Sequence, residues 1–113
     1  MSEVRIEPQK ILKAGITPAY TGSLLTANTY MVRNNGRIAL HFKKSGAGDC
    51  VVTIQTPVQV SGLDVAENAV TVVATTGDKL IGPFPPSVFN DGSQDVRFTL
   101  SEITGLTVAA LEL

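Results

Sequence analysis

Few side chains in this sequence have the chemistry to act on a substrate, and they lie far apart. His41 is the only histidine and Cys50 the only cysteine among 113 residues. An imidazole works as a base or a metal ligand only in company. One histidine per chain is therefore expected to build neither a His-based triad nor a multi-histidine metal site. Cys50 and His41 would make a nucleophile pair only if strands set them side by side. Both fall in strand-like stretches, whereas catalytic groups favour loops. Cys50 then reads as a small buried hydrophobe and His41 as a surface or interface residue.

Two loops resemble ligand sites at first sight. Ser45-Gly46-Ala47-Gly48-Asp49 has the glycines of a phosphate cradle, but lacks the Lys-Ser/Thr ending and the helix that follows it. A hairpin turn is the expectation. Asn90-Asp91-Gly92-Ser93-Gln94-Asp95 offers oxygen ligands without the spacing or the distal Glu of a calcium loop. The acids form no evident general acid/base pair. The residues thus point to no catalytic group, no cofactor and no metal, and the expectation is a non-enzymatic protein.

The elements that carry these residues are strands. Residues 29–54 read as strand, turn, strand, turn, strand. Asn35-Gly36 is a strong type I′ hairpin signal, because both central positions need positive φ. Ile38, Leu40 and Phe42 alternate with Ala39, His41 and Lys43, a period of two that puts one face in a core. An antiparallel meander is expected to seed the fold. Residues 69–74 and 95–100 are further strands, rich in β-branched and alternating apolar residues. Residues 79–82 form a short strand, and residues 19–21 are expected as a short edge strand. Residues 106–113 are apolar on both faces and belong inside a sheet or beneath a partner. Three prolines among Pro83, Phe84, Pro85 and Pro86 remove three ladder donors, so this segment is expected as a stiff crossover capped by Phe84.

At the other end, Val4 and Ile6 alternate with Glu3 and Arg5 in an arm that can add to a sheet edge. Pro8 and Gly15 would suit the start and the end of one short helix at residues 8–14. About eight strands, with turn signals every eight to twelve residues, indicate an all-β fold. The expected architecture is an antiparallel, jelly-roll-like β-sandwich at residues 16–113, preceded by an arm and short helix or turn at residues 1–15.

Composition narrows the function. The chain is 43% hydrophobic and 17% charged, with no Trp and a net charge of −1. That balance argues against a nucleic-acid binder, and the expectation is no nucleic-acid and no membrane partner. Residues 1–44 carry seven basic and two acidic side chains, and residues 45–113 carry two basic and eight acidic. The expected consequence is mutual neutralisation of the two halves within one sandwich. A polar N-terminus and the lack of any long apolar run suggest no signal peptide and no spanning segment.

Several stretches together resemble a known family. They are Tyr20, the Asn34-Asn35-Gly36-Arg37 turn with Leu40-His41-Phe42, Gly62-Leu63-Asp64-Val65, Ile81-Gly82-Pro83-Phe84-Pro85-Pro86 with Phe89-Asn90-Asp91, and the closing Val108-Ala109-Ala110-Leu111-Glu112-Leu113. The chain is similar to small head decoration (cement) proteins encoded among the head genes of tailed bacteriophages. The resemblance implies a β-sandwich made in the host cytoplasm that coats the outer surface of the phage head between capsomers. It further implies the major capsid protein and further copies of itself as partners, with a homotrimer as the assembly. The partner contacts expected are Val4, Arg5 and Ile6 in the arm, Pro83, Phe84, Pro85 and Pro86 in the proline segment, and Leu111 and Leu113 in the last strand. The alternatives are a head–tail connector or tail component and, from a different class, a carbohydrate-binding β-sandwich module.

Overall fold

Residues 38–44 bury every second side chain. Ile38, Leu40, Phe42 and Lys44 point inward, while Ala39, His41 and Lys43 point outward. The same alternation recurs along the other long strands of the computed structural model, which describes residues 3–57, 59–64 and 66–113. Met1, Ser2, Val58 and Val65 lie outside the described residues.

In chain order the strands are β1 (Glu3–Arg5), β2 (Gln9–Lys10), β3 (Thr29–Arg33), β4 (Ile38–Lys44), β5 (Cys50–Ile54), β6 (Gln59–Val60), β7 (Leu63–Asp64), β8 (Asn68–Val72), β9 (Gly77–Ile81), β10 (Asp95–Leu100) and β11 (Leu106–Glu112). A single helical turn, α1 (Pro86–Phe89), precedes β10. One sheet has the order β1-β3-β10-β5-β8 and the other β2-β11-β4-β9, with β6 and β7 forming a separate hairpin. The fold is an all-β sandwich, flattened to 41 × 36 × 22 Å.

The central meander does not form. β3 pairs with β1 and β10, whereas β4 pairs with β11 and β9. Consecutive strands therefore face each other across the core, and both turns of residues 29–54 are corners between sheets. A period-two pattern says only that one face is buried, and it fits a facing partner as well as a hydrogen-bonded one. The corner chemistry decides between them. The Asn34 side chain is buried. It donates to the Phe84 carbonyl and to Asn90 Oδ1, at 2.9 and 2.6 Å, and accepts from the Gly36 N–H at 3.0 Å. Only Gly36 takes positive φ, at 87°, so the two positive-φ positions of a type I′ turn are absent. The second corner is closed by close approach. A Cβ on Gly46 would lie 2.5 Å from the Thr104 carbonyl oxygen.

The expected helix at residues 8–14 is also absent. Gln9 and Lys10 instead pair in parallel with Leu111 and Glu112, and the Ile11 N–H donates to the Glu112 carbonyl. Two turns of isolated helix are marginal, and the free edge of β11 offers backbone partners to the same residues. Both sheets are therefore mixed: antiparallel bodies, each with one parallel edge strand from the arm. The edge strand expected at residues 19–21 reduces to a single bridge between Thr21 and Val108. Residues 86–89 form the helical turn α1, which begins at the last proline of the segment.

The core between the sheets is aliphatic around a small aromatic centre. Phe98 stacks near Tyr30 at 5.7 Å and meets Phe42 edge-on at 5.7 Å, geometries that favour ring quadrupoles. Cys50 is buried and unpaired there. The ammonium of Lys44, buried at one end of β4, is satisfied by the carbonyls of Ala47 and Thr104.

Candidate functional site

The arm is held by its own chain. Val4 pairs with Tyr30 in register and is half-buried. Ile6 is 5% exposed in the core, and its N–H donates to the Met31 carbonyl. Arg5 makes a bidentate pair with Asp95, at 2.8 and 2.9 Å, and the Asp95 carboxylate is buried. The hydrogen bond that Arg5 donates to Asp95, and the charge of that carboxylate, raise Arg5 above the ordinary guanidinium range. Arg97 bridges Glu3 and Asp91. Lys10 reaches Glu112 at 3.5 Å. The Arg5–Asp95 and Lys10–Glu112 pairs each set a base of the first forty-four residues against an acid of the rest, whereas Arg97–Glu3 runs the other way. A hollow of about 440 Å³ lies beside this arm and is lined by charges of both signs: Arg5, Arg33, Glu7 and Glu112.

The outer face of the four-stranded sheet is different. Here Ile11, Ala39, Leu80, Ile81, Leu111 and Leu113 surround an apolar groove of about 250 Å³. Leu80 and Leu113 are 64% and 66% exposed. β9 and β11 flank β4, so Leu80 and Leu111 lie on either side of it, near Ala39. The Leu113 N–H donates to the Arg37 carbonyl, which ties the last residue to the sheet. Two of the expected contact residues, Leu111 and Leu113, thus meet in one groove. Leu80 and Ile11 complete it and were missed by sequence reasoning. Leu80 directly follows charged Asp78 and Lys79 on a short strand, and Ile11 sat in an expected helix.

The proline segment begins at this groove and leaves it. Gly82 lines the groove, Phe84 is buried at 1% exposure against Phe89, and Pro86 packs on Gly36 at the β3–β4 corner. Pro83, Pro85 and Pro86 are exposed.

Next to the groove lies an arrangement that spacing did not reveal. His41 Nε2 is 2.5 Å from Asp78 Oδ1, and its Nδ1 is 2.8 Å from the Tyr20 hydroxyl. With Nε2–H donating to an ionised Asp78, Nδ1 is an acceptor and the Tyr20 hydroxyl donates to it. The hydrogen bond from His41 holds the Asp78 carboxyl below the usual range. A single histidine thus joins a three-residue hydrogen-bonded chain that its sequence neighbours do not announce. Cross-strand pairing of β4 with β9 sets His41 near Asp78, and the Thr21–Val108 bridge brings Tyr20 over the sheet. Lys43 Nζ lies 5.3 Å from the centre of the Tyr20 ring. This chain can fasten the segment around Tyr20 to the sheet face. Cys50 lies in the other sheet and does not meet His41.

Among the described residues, no three His, Cys, Asp or Glu side chains cluster as metal ligands, and no helix is long and apolar enough to cross a membrane. Asp91 in the acidic loop accepts from the Ser93 and Asp95 N–H groups and from Arg97 Nε. It serves as a loop clamp. Comparison with known protein families, with curated proteins and with solved structures gives no match to this chain.

Proposed function

We propose that this protein is a virion structural protein, a head decoration protein that binds the outer surface of a phage head between capsomers and holds the shell together. The observation that carries the reading is the groove of Ile11, Leu80, Leu111 and Leu113 on the outer face of a rigid, weakly charged sandwich. Large exposed apolar side chains gathered in one place mark a protein-binding surface. The stretches that resemble decoration proteins add the identity of the partner, the major capsid protein, and a three-fold assembly of copies at the capsid surface. No catalytic step is assigned to it.

The test counts copies in purified particles from cells carrying the gene. Hundreds per particle fit decoration, while a dozen or fewer fit a connector or tail component. Leu80→Asp and Leu113→Asp are expected to abolish particle binding while the free protein stays folded. Unchanged occupancy with both substitutions rejects the groove as the contact. The carbohydrate-binding alternative gains nothing from the two tyrosines. Tyr30 is buried, and the Tyr20 ring carries Lys43 over one face.

A further inference from the structure

The two sheets have four edges, and three of them are blunted. β1 is three residues long with charged Glu3 and Arg5, β2 is two residues long with Lys10, and β9 carries Asp78 and Lys79. Short length and charge are the usual devices that stop an edge from pairing with another chain. β8, Asn-Ala-Val-Thr-Val over Asn68–Val72, has neither device. It is five residues long, has no charge, and is followed by Val73 at 49% exposure.

The ladder shows which backbone groups of β8 are free. The Ser101 N–H donates to the Val51 carbonyl, and the Val51 N–H to Ser101 Oγ, so the main chain of Val51 faces β10. Alternation along β5 then turns Cys50, Val52 and Ile54 toward β8, where they pair with Val72, Val70 and Asn68. The N–H and C=O groups of Ala69 and Thr71 therefore point away from the sheet. Among the described residues they have no hydrogen-bond partner.

We propose that β8 is the self-association edge of this protein, pairing antiparallel with β8 of a second copy about Val70. In that register Ala69 faces Thr71 of the second copy and Thr71 faces its Ala69. Both are pairs whose main-chain groups point outward, so they exchange about four hydrogen bonds. Val70 meets Val70 of the second copy on the core side, where it is only half-buried in one chain. Every facing pair is uncharged. The same operation on β9 about its middle residue would set Lys79 against a second Lys79, which is unfavourable. The strand is thus its own complement, and the product is a ten-stranded sheet around a two-fold axis. This contact does not depend on the proposed capsid role. It closes at two copies, whereas the assembly that the decoration reading implies closes at three.

Thr71→Pro tests it. The outward N–H of Thr71 makes no ladder bond, so proline removes an intermolecular donor without breaking β5–β8 pairing. Sedimentation equilibrium up to about 1 mM protein, the range where weak complexes still form, is expected to show a reversible dimer. Thr71→Pro and Ala69→Lys should lower the association constant at least about tenfold, while Lys79→Glu on the other edge leaves it unchanged. Amide exchange gives the second readout, with Ala69 and Thr71 slowing as the protein is concentrated. A wild-type monomer throughout that range overturns the proposal. So does a dimer or trimer indifferent to Thr71→Pro with unprotected Ala69 and Thr71. A trimer of that kind would leave the capsid reading standing.

Discussion

The two flanks of the sandwich meet the same problem in opposite ways. On one flank β3 and β11 would be bare edges, but the arm adds a parallel strand to each and crosses between them. Ile6 enters the core at the crossing point, and ion pairs to Asp95, Arg97 and Glu112 pin the segment on both sides. On the other flank β8 and β9 follow each other with only residues 73–76 between them. Among the described residues, no strand pairs with the outer side of β8. The difference shows where partners are excluded and where they are admitted. An edge formed by a short, charged strand of the arm is blunted, while a longer and uncharged one is not.

The comparison breaks first at Ile6. Ile6→Ala is expected to cost about 3 kcal/mol, the usual effect of emptying a buried isoleucine site. Urea denaturation measures it, and a loss under about 0.5 kcal/mol would mean that the arm does not seal its flank. Arg5 comes next. Arg5→Ala strands the buried Asp95 carboxylate without its cation, which is destabilising. Arg5→Lys should restore only part of the loss, because a single ammonium cannot reproduce the bidentate fork. Full rescue by lysine would reduce the clasp to a point charge.

A smaller effect is expected from acid. For Asp91, burial opposes the charge, but hydrogen bonds from Arg97, Asp95 and Ser93 outweigh it and lower the carboxyl below its ordinary value. A depressed carboxyl stabilises the fold above the unfolded value of about 4. That contribution is lost as pH falls below about 4 through the folded value. Stability measured between pH 7 and pH 2.5 should therefore fall at the acid end. Asp91→Asn should flatten the fall and loosen the arm through Arg97, leaving exchange at Val70 and Val72 unaltered.

Much of the fold was legible because burial has a period. Ile38, Leu40 and Phe42 announce an inward face whatever strand lies beside them, and Val96, Phe98 and Leu100 do the same. The site was legible only in part. Leu111 and Leu113 stand out as apolar residues in the closing strand, but Leu80 enters the groove only because β9 pairs with β4. The link from His41 to Asp78 spans thirty-seven residues and has no local signal.

Sequence alone determined that this chain is a thinly charged β-sandwich with an arm at its start and a stiff proline corner near its end. Side-chain alternation and turn residues act over a few positions, and they suffice for that. Which strands share a sheet was decided only in three dimensions. There the Asn34 amide reached Phe84 and Asn90, and the arm found the edges of β3 and β11. The hydrogen bonds that choose neighbours join residues distant in sequence, and period two is blind to whether a partner lies beside a strand or across the core from it.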